Sequence, residues 1–226
     1  MRDMQLSSYL LGLVSRAREA YRQPNLRDTF SKVYKTNFWG GDVSRSGTGS
    51  DLRQTSEIKR VLPSLIRRLN AQVILDIPCG DFFWMKEVEH GIQYVGADIV
   101  PELITDNTAR YANDRRRFIV RDLCNDALPR ADIVFCRDAL VHLSYQDAMA
   151  AIRNIKVSES LYLMATTFTN RSANFDMPTT GEWRPLNMQV EPFLFPEPLE
   201  ILIENCTEGD GSWGDKSLGL WRIQDL

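Results

Sequence analysis

Four aspartates stand at equivalent places along the chain, each at or just after a short apolar run: Asp76 in VILD, Asp98 in YVGAD, Asp122 after RRFIVR and Asp138 after IVFCR. In an open parallel sheet, ligands collect at the carboxyl ends of the strands, so this row of acids predicts a rim that receives hydroxyl or ammonium groups. Asp98 follows Asp76 by 22 residues (98 − 76), the spacing at which an acid ending a second strand accepts both hydroxyls of a ribose. The turn between them decides what accompanies that ribose. A pyrophosphate requires a glycine-rich nest at a helix N-terminus, whereas this turn reads D-I-P-C-G-D-F, with Gly80 as its one glycine and the negative Asp81 behind it. Such a turn repels a phosphate. It tolerates a zwitterionic amino-acid tail beside a sulfonium.

Proton abstraction has few candidates, because the chain carries two histidines. His90 precedes Gly91 in a predicted loop on the opposite side of the sheet, whereas His142 follows Asp138 by four residues, just past the fourth strand. A helical turn from Asp138 to His142 would put both side chains on one face, the carboxylate orienting the imidazole and raising its basicity. The plainer readings are a histidine packed between Leu140 and Leu143, and an Asp138 that caps a helix or pairs with Arg137. Lys216 is the rival base if burial strips its proton; more often a buried lysine pairs with an acid, here Asp215 or Asp138. Trp183, Arg184 and Asn187 combine an aromatic face with hydrogen-bonding groups, which suits a carbohydrate as well as ordinary loop packing. The glycine loop Gly47 to Ser50 is either a hinge or a cover whose amides and Ser50 close over a carboxylate.

The elements that position these groups are legible as alternating strands and helices. Apolar runs at QVILDI, QYVGADI, RRFIVRDL, ADIVFCRDA and SLYLMATTF predict five strands. Helices are predicted at FWMKEVE, at PELITDNTARY with Pro101 in its first turn, and from Ser144 to Ile155 with Ser144 and Asp147 as cap. The rhythm implies a parallel sheet buried on both faces. LEILIENC and KSLGLWRI, around EGDGSWGD, predict a terminal antiparallel hairpin. Residues 169–198 hold five of the ten prolines and predict a long ordered loop over the sheet. Upstream, Leu6, Leu10, Leu11, Val14 and Ala17, then Phe30, Val33, Tyr34 and Phe38, predict two amphipathic helices. A further helix buries Ile58, Val61, Leu62, Leu65, Ile66 and Leu69, with Asp51 and Gln54 as a reciprocal cap and Pro63 as a kink. Residues 1–50 are thus expected to form helices and a lid loop appended to a single domain over 51–226.

With 226 residues, 43% of them hydrophobic, the chain can bury one sizeable core. The net charge of −3 disfavours a nucleic-acid partner despite the local run Arg115–Arg116–Arg117. Cys79, Cys124, Cys136 and Cys206 lack metal-ligand spacing and suit a reducing cytoplasm without zinc or disulfides. The segment YLLGLV is too short to span a bilayer, and Asp3 with no cleavage site argues against a signal peptide, so no membrane span is expected. Homodimerisation is left open.

Longer stretches resemble a known family. The segments S46-G-T-G-S-D-L-R-Q-T55, L75-D-I-P-C-G-D-F-F-W84, Y94-V-G-A-D-I-V-P-E-L-I104, C136-R-D-A-L-V-H-L-S144, W183-R-P-L-N187 and D215-K-S-L-G-L-W-R222 resemble class I S-adenosylmethionine-dependent methyltransferases, in a branch of sugar and glycan O-methyltransferases. Within the first motif Pro78 and Phe82 replace two of the family's glycines. The resemblance covers about residues 46 to 222 and implies a Rossmann-like α/β fold with a mainly parallel seven-stranded sheet, helices on both faces and an N-terminal helical lid. It implies S-adenosylmethionine held by Asp76, Pro78, Gly80, Asp81, Trp84, Asp98, Ile99, Asp122, Leu123, Arg137, Gly49, Ser50 and Thr55. Position at the rim assigns catalysis to His142, oriented by Asp138, with Lys216 in reserve, and a sugar acceptor is expected against Trp183, Arg184, Asn187, Trp39 and Thr167. No metal is expected, because the fifth strand ends in TTF without an acid. A methyltransferase of another small-molecule acceptor, a non-catalytic module that kept the fold and the cofactor, and a nucleotide-dependent oxidoreductase are the other readings.

Overall fold

The computed structural model describes residues 25–89, 91–177 and 179–226. The first predicted helix and His90 lie outside the described residues. Helix α1 (Leu26–Thr36) starts at Asn25, whose side chain accepts from the Asp28 amide, and ends at Asn37 in a left-handed conformation. Phe38 therefore lies beyond the helix and is exposed. Helix α2 (Ser56–Arg68) contains Pro63 and buries Ile58, Leu62, Leu65 and Ile66 as predicted. Its cap differs from expectation. Thr55 is the N-cap residue, and Gln54 is drawn away by two bonds to Thr207, at 2.9 and 3.1 Å, so it never reaches Asp51.

Among the described residues seven strands form one sheet, β1 (Val73–Asp76), β2 (Gln93–Asp98), β3 (Arg116–Val120), β4 (Ile133–Cys136), β5 (Tyr162–Phe168), β6 (Glu200–Ile203) and β7 (Lys216–Arg222), in the order β3-β2-β1-β4-β5-β7-β6. The first five pair in parallel, and β7 pairs antiparallel with both β5 and β6, so the sheet is mixed and only mainly parallel. Period-two alternation divides each central strand between two cores. Leu75, Val134 and Leu163 face helix α4 (Tyr145–Val157) with its Ala148, Ala151, Ile152 and Ile155. Ile74, Ile133 and Met164 face α2 and helix α3 (Pro101–Tyr111). Ser144 caps α4, accepting from the Asp147 amide, and Pro101 occupies the first turn of α3.

One predicted helix is absent. After β1 the chain makes a single 3₁₀ turn, Met85–Glu87, in place of an α-helix over FWMKEVE. Phe82 takes a left-handed φ of 57° and seats its ring within 5.0–5.3 Å of Tyr94, Tyr111 and Phe118. Aromatic packing of that kind outweighs the small gain of a two-turn helix. Among the described residues no helix is long and apolar enough to cross a membrane.

Candidate active site

The parallel register sets Asp76 opposite Gly96 on the neighbouring strand, and Asp98 ends that strand two residues later, so both acids reach the same rim. They open into a cavity lined also by Pro78, Gly80, Ile99, Asp122, Leu123 and Trp84. Asp98 accepts from the amides of Val100 at 3.0 Å and Gly80 at 3.2 Å, and Asp76 accepts from the Tyr94 hydroxyl at 2.5 Å. Burial disfavours both charges. It raises the Asp76 carboxyl to about 7 and the Asp98 carboxyl to about 6, against the opposing pull of those hydrogen bonds.

Gly80 has a φ of 52°, and a Cβ there would meet the Ser46 hydroxyl at 2.2 Å. The glycine loop is therefore seated directly on the turn after β1. Asp81 holds it there, its carboxylate accepting from the Ser44 hydroxyl and the Arg45 amide at 2.9 Å each, and from the Ser46 hydroxyl at 3.3 Å. Its role in the structure is thus to anchor the loop at the cavity wall. Ser50 lines the same cavity.

A second cavity adjoins the first, and Trp39, Ser46, Asp138 and His142 line both. Its remaining wall comes from Gly47, Thr48, Gly49, Trp183, Cys206, Glu208, Trp213 and Lys216. The predicted helical turn from Asp138 to His142 does not form, because Asp138 takes a left-handed φ of 51° before a 3₁₀ turn at Leu140–His142. No bond links the two side chains. The imidazole Nδ1 instead lies 2.7 Å from the Glu182 carbonyl oxygen, which can only accept, so Nδ1 carries the proton and Nε2 keeps its lone pair. Burial lowers the His142 pKa to about 4, which keeps the ring neutral.

Asp138 belongs to a different network. Lys216 Nζ donates to it at 2.7 Å and Arg137 lies 3.2 Å away, while Arg137 also grips Glu204 at 2.7 Å. Burial opposes ionisation of Asp138, but Lys216 and Arg137 outweigh it and hold the carboxyl well below the usual range. Burial likewise opposes the Lys216 charge, yet Asp138 and Glu204 raise its pKa, which favours the ammonium paired with Asp138. Arg137 donates to the Gly49 carbonyl at 2.9 Å and stands 5.7 Å over the Trp84 ring, tying the glycine loop to the end of β4.

Four predicted ligands are placed elsewhere. Arg184 is buried and donates to the carbonyls of Phe175, Leu140 and Val141, which clamps the turn that carries His142. Asn187 bonds the Arg171 carbonyl and the Gln189 amide within its own loop. Thr167 accepts from the Met188 amide, and Thr55 donates to the Asp51 carbonyl. Trp39 and Trp183 do face the second cavity. Three further contributors carry little local signal in the sequence. Thr166 accepts from the Asp138 amide at 2.7 Å, and Trp213 packs on Trp183 with ring centroids 4.7 Å apart. Glu208 is the third, and it accepts from the Thr48 hydroxyl. Only the glycines around Trp213 and Glu208 in EGDGSWGD hinted that this loop bends back toward the cavity.

No protein-family model matches the chain, and no curated protein matches it in sequence. Solved structures do. Human N-acetylserotonin methyltransferase, in complex with SAM, matches with a TM-score of 0.58 and 13% identity over 91% of this chain and 61% of that one. A S-adenosylmethionine-dependent methyltransferase from Clostridium acetobutylicum gives 0.53 and 11%, over 73% of this chain and 90% of that one. An O-methyltransferase family protein from Burkholderia thailandensis gives 0.51 and 17%, over 76% and 56%. The chain thus spans 61% of the length of the human protein and shares the Rossmann-like fold of these methyltransferases.

Proposed function

We propose that the chain is an S-adenosylmethionine-dependent O-methyltransferase whose acceptor is a sugar hydroxyl in a glycan. The residues at the first cavity fit that cofactor better than a dinucleotide. The Gly80 amide, which a phosphate would need, is already given to Asp98, and no other glycine amide is available in the turn. Asp98 is assigned to the ribose diol, Asp76 and the backbone of Pro78 and Gly80 to the methionine portion, and Asp122, Leu123 and Ile99 to the adenine edge and faces. When bound, S-adenosylmethionine supplies an electrophilic methyl group on a sulfonium.

The observation that carries the reading is the state of His142. Its Nε2 lone pair belongs to a neutral ring at the junction of the two cavities, where a hydroxyl proton must be taken up. Trp39 covers one face of that ring, and Arg184 and the Glu182 carbonyl fix its position, so little reorganisation accompanies proton transfer. Asp138, locked to Lys216 and Arg137, sets the charge of the wall instead of moving a proton. The resemblance over residues 46 to 222 and the indole faces of Trp39, Trp183 and Trp213 support a sugar as acceptor. Four free, buried cysteines suit a cytoplasmic protein.

Incubation of candidate glycans with the protein and a methyl-labelled cofactor, read by mass spectrometry, tests the reading. The expected product is a glycan heavier by one labelled methyl on oxygen. Cofactor binding in calorimetry without transfer to any hydroxylated acceptor would leave a binding module, and tight NAD binding without S-adenosylmethionine binding would overturn the cofactor assignment.

A further inference from the structure

The second cavity carries a charge that nothing in the wall neutralises. Asp138, Glu208 and Lys216 line it, and Arg137 and Glu204 lie behind Asp138 and Lys216: Asp138 and Glu204 are engaged by the two cations, at 2.7 Å for the Arg137–Glu204 and Lys216–Asp138 pairs. Arg171, 5.3 Å from the centre of the Trp213 ring, is taken by Asp215 at 2.9 Å. His142 is neutral. That leaves Glu208, which forms no ion pair among the described residues and receives only the Thr48 hydroxyl, at 2.5 Å, and the Cys206 thiol, at 3.7 Å. A carboxylate offers about four lone-pair positions, so roughly two remain for a ligand.

The geometry around Glu208 brings it to the acceptor's place. A Cβ built on Gly49 would stand 3.3 Å from Glu208 Oε2, 3.5 Å from Asp138 Oδ2 and 3.5 Å from Lys216 Nζ, so the three charged ends converge on one point of the glycine loop. Trp183 and Trp213 stand in the same wall, edge to face, with Phe168 behind both at 5.8 and 6.2 Å. A wall of indoles with one uncompensated carboxylate binds groups that donate hydrogen bonds and carry no negative charge.

Resting on the methyltransferase reading above, we infer that Glu208 reads the acceptor: its carboxylate accepts from a hydroxyl or ammonium next to the reacting hydroxyl and excludes sugars bearing a carboxylate or phosphate at that place. The experiment uses the full chain with S-adenosylhomocysteine bound and follows tryptophan fluorescence as neutral hexosides, amino-hexosides and hexuronosides are added. Wild-type protein should bind the neutral and amino sugars and reject the uronosides. Glu208→Gln should weaken binding of the amino and neutral sugars by about 10- to 100-fold, the size of one charge-assisted hydrogen bond. It should leave homocysteine-cofactor affinity unchanged, and Glu208→Lys should admit the uronosides. A larger loss for amino than for neutral sugars identifies the ammonium as the preferred donor; equal losses identify the hydroxyl. Uronosides that bind wild type as well as the neutral sugars, or unchanged sugar binding in Glu208→Gln, would overturn the role of Glu208 alone. Binding of none of the three classes to wild type would overturn the sugar reading, and this inference with it.

Discussion

Trp39 and His142 lie ring upon ring, with centroids 4.3 Å apart and planes inclined by 29°. The segment that follows α1 therefore closes directly over the candidate base. Trp39→Ala should readmit water to the imidazole, and because burial is the main cause of its low pKa, the value should rise from about 4 toward 6.5. The lost ring pair should also lower stability by about 0.5–1.5 kcal/mol. Histidine titration by NMR reads the first effect cleanly, since the chain has two histidines. An unmoved titration would show that the indole does not shield His142.

The second prediction concerns the base itself. His142→Ala should lower turnover by ~10²–10⁴ while cofactor affinity stays nearly intact. The active form is the neutral ring, so the wild-type rate should fall only as pH drops through about 4, instead of near the ordinary histidine value. Near-normal turnover in the variant, with Asp138→Asn abolishing it, would transfer the role of base to the carboxylate.

The third follows from the two raised carboxyls. Their folded pKa values, about 7 for Asp76 and about 6 for Asp98, lie above the unfolded value. The stability they contribute is fully present below about 4 and is lost as pH rises to 7. His142 acts in the opposite sense, because its folded pKa is depressed and its contribution is lost as pH falls from 6.5 to 4. Asp76→Asn should therefore flatten the loss between pH 4 and 7 in denaturation of the cofactor-free protein. Ionised Asp98 is the stronger acceptor for a diol, so S-adenosylmethionine affinity should rise with pH through about 6, and Asp98→Ala should weaken it by ~1.5–3 kcal/mol. Calorimetry across that range that finds a flat profile would remove Asp98 from the ribose.

The positions of these groups were legible in the sequence to very different degrees. The strands, the Ser144 cap and the row of acids follow from local pattern, because a parallel strand needs an apolar run and its end is marked by polarity. The Asp138–His142 relation was misread because four-residue spacing implies a shared face only in a regular helix, and the left-handed Asp138 breaks it. Arg184 and Asn187 looked like ligands because no local pattern announces their partners, the Leu140 carbonyl 44 residues away and the Arg171 carbonyl 16 residues away across the same irregular loop. Glu208 was invisible for the same reason. Its place in the cavity depends on Thr48, 160 residues away.

A fourth prediction tests the glycine loop. Asp81 is its principal anchor, through Ser44, the Arg45 amide and Ser46, and Arg137 secures its far end at the Gly49 carbonyl. Few apolar contacts hold the loop otherwise, so local opening should dominate its hydrogen exchange. Exchange over residues 30–52 should slow when S-adenosylmethionine is added, since Ser46 and Ser50 line the first cavity. Asp81→Ala removes three acceptor contacts and should speed exchange of Ser44 to Ser50 in the cofactor-free protein, lowering cofactor affinity by about tenfold, a loss on the order of one charge-assisted hydrogen bond. The same variant should change exchange in the Thr207–Trp213 segment much less, because two bonds tie Thr207 to Gln54 outside the loop and only the Thr48 hydroxyl links the segment to it. Equal exchange in wild type with and without cofactor would mean that the loop is a fixed wall, and the loss of affinity in Asp81→Ala would then have to come from its charge.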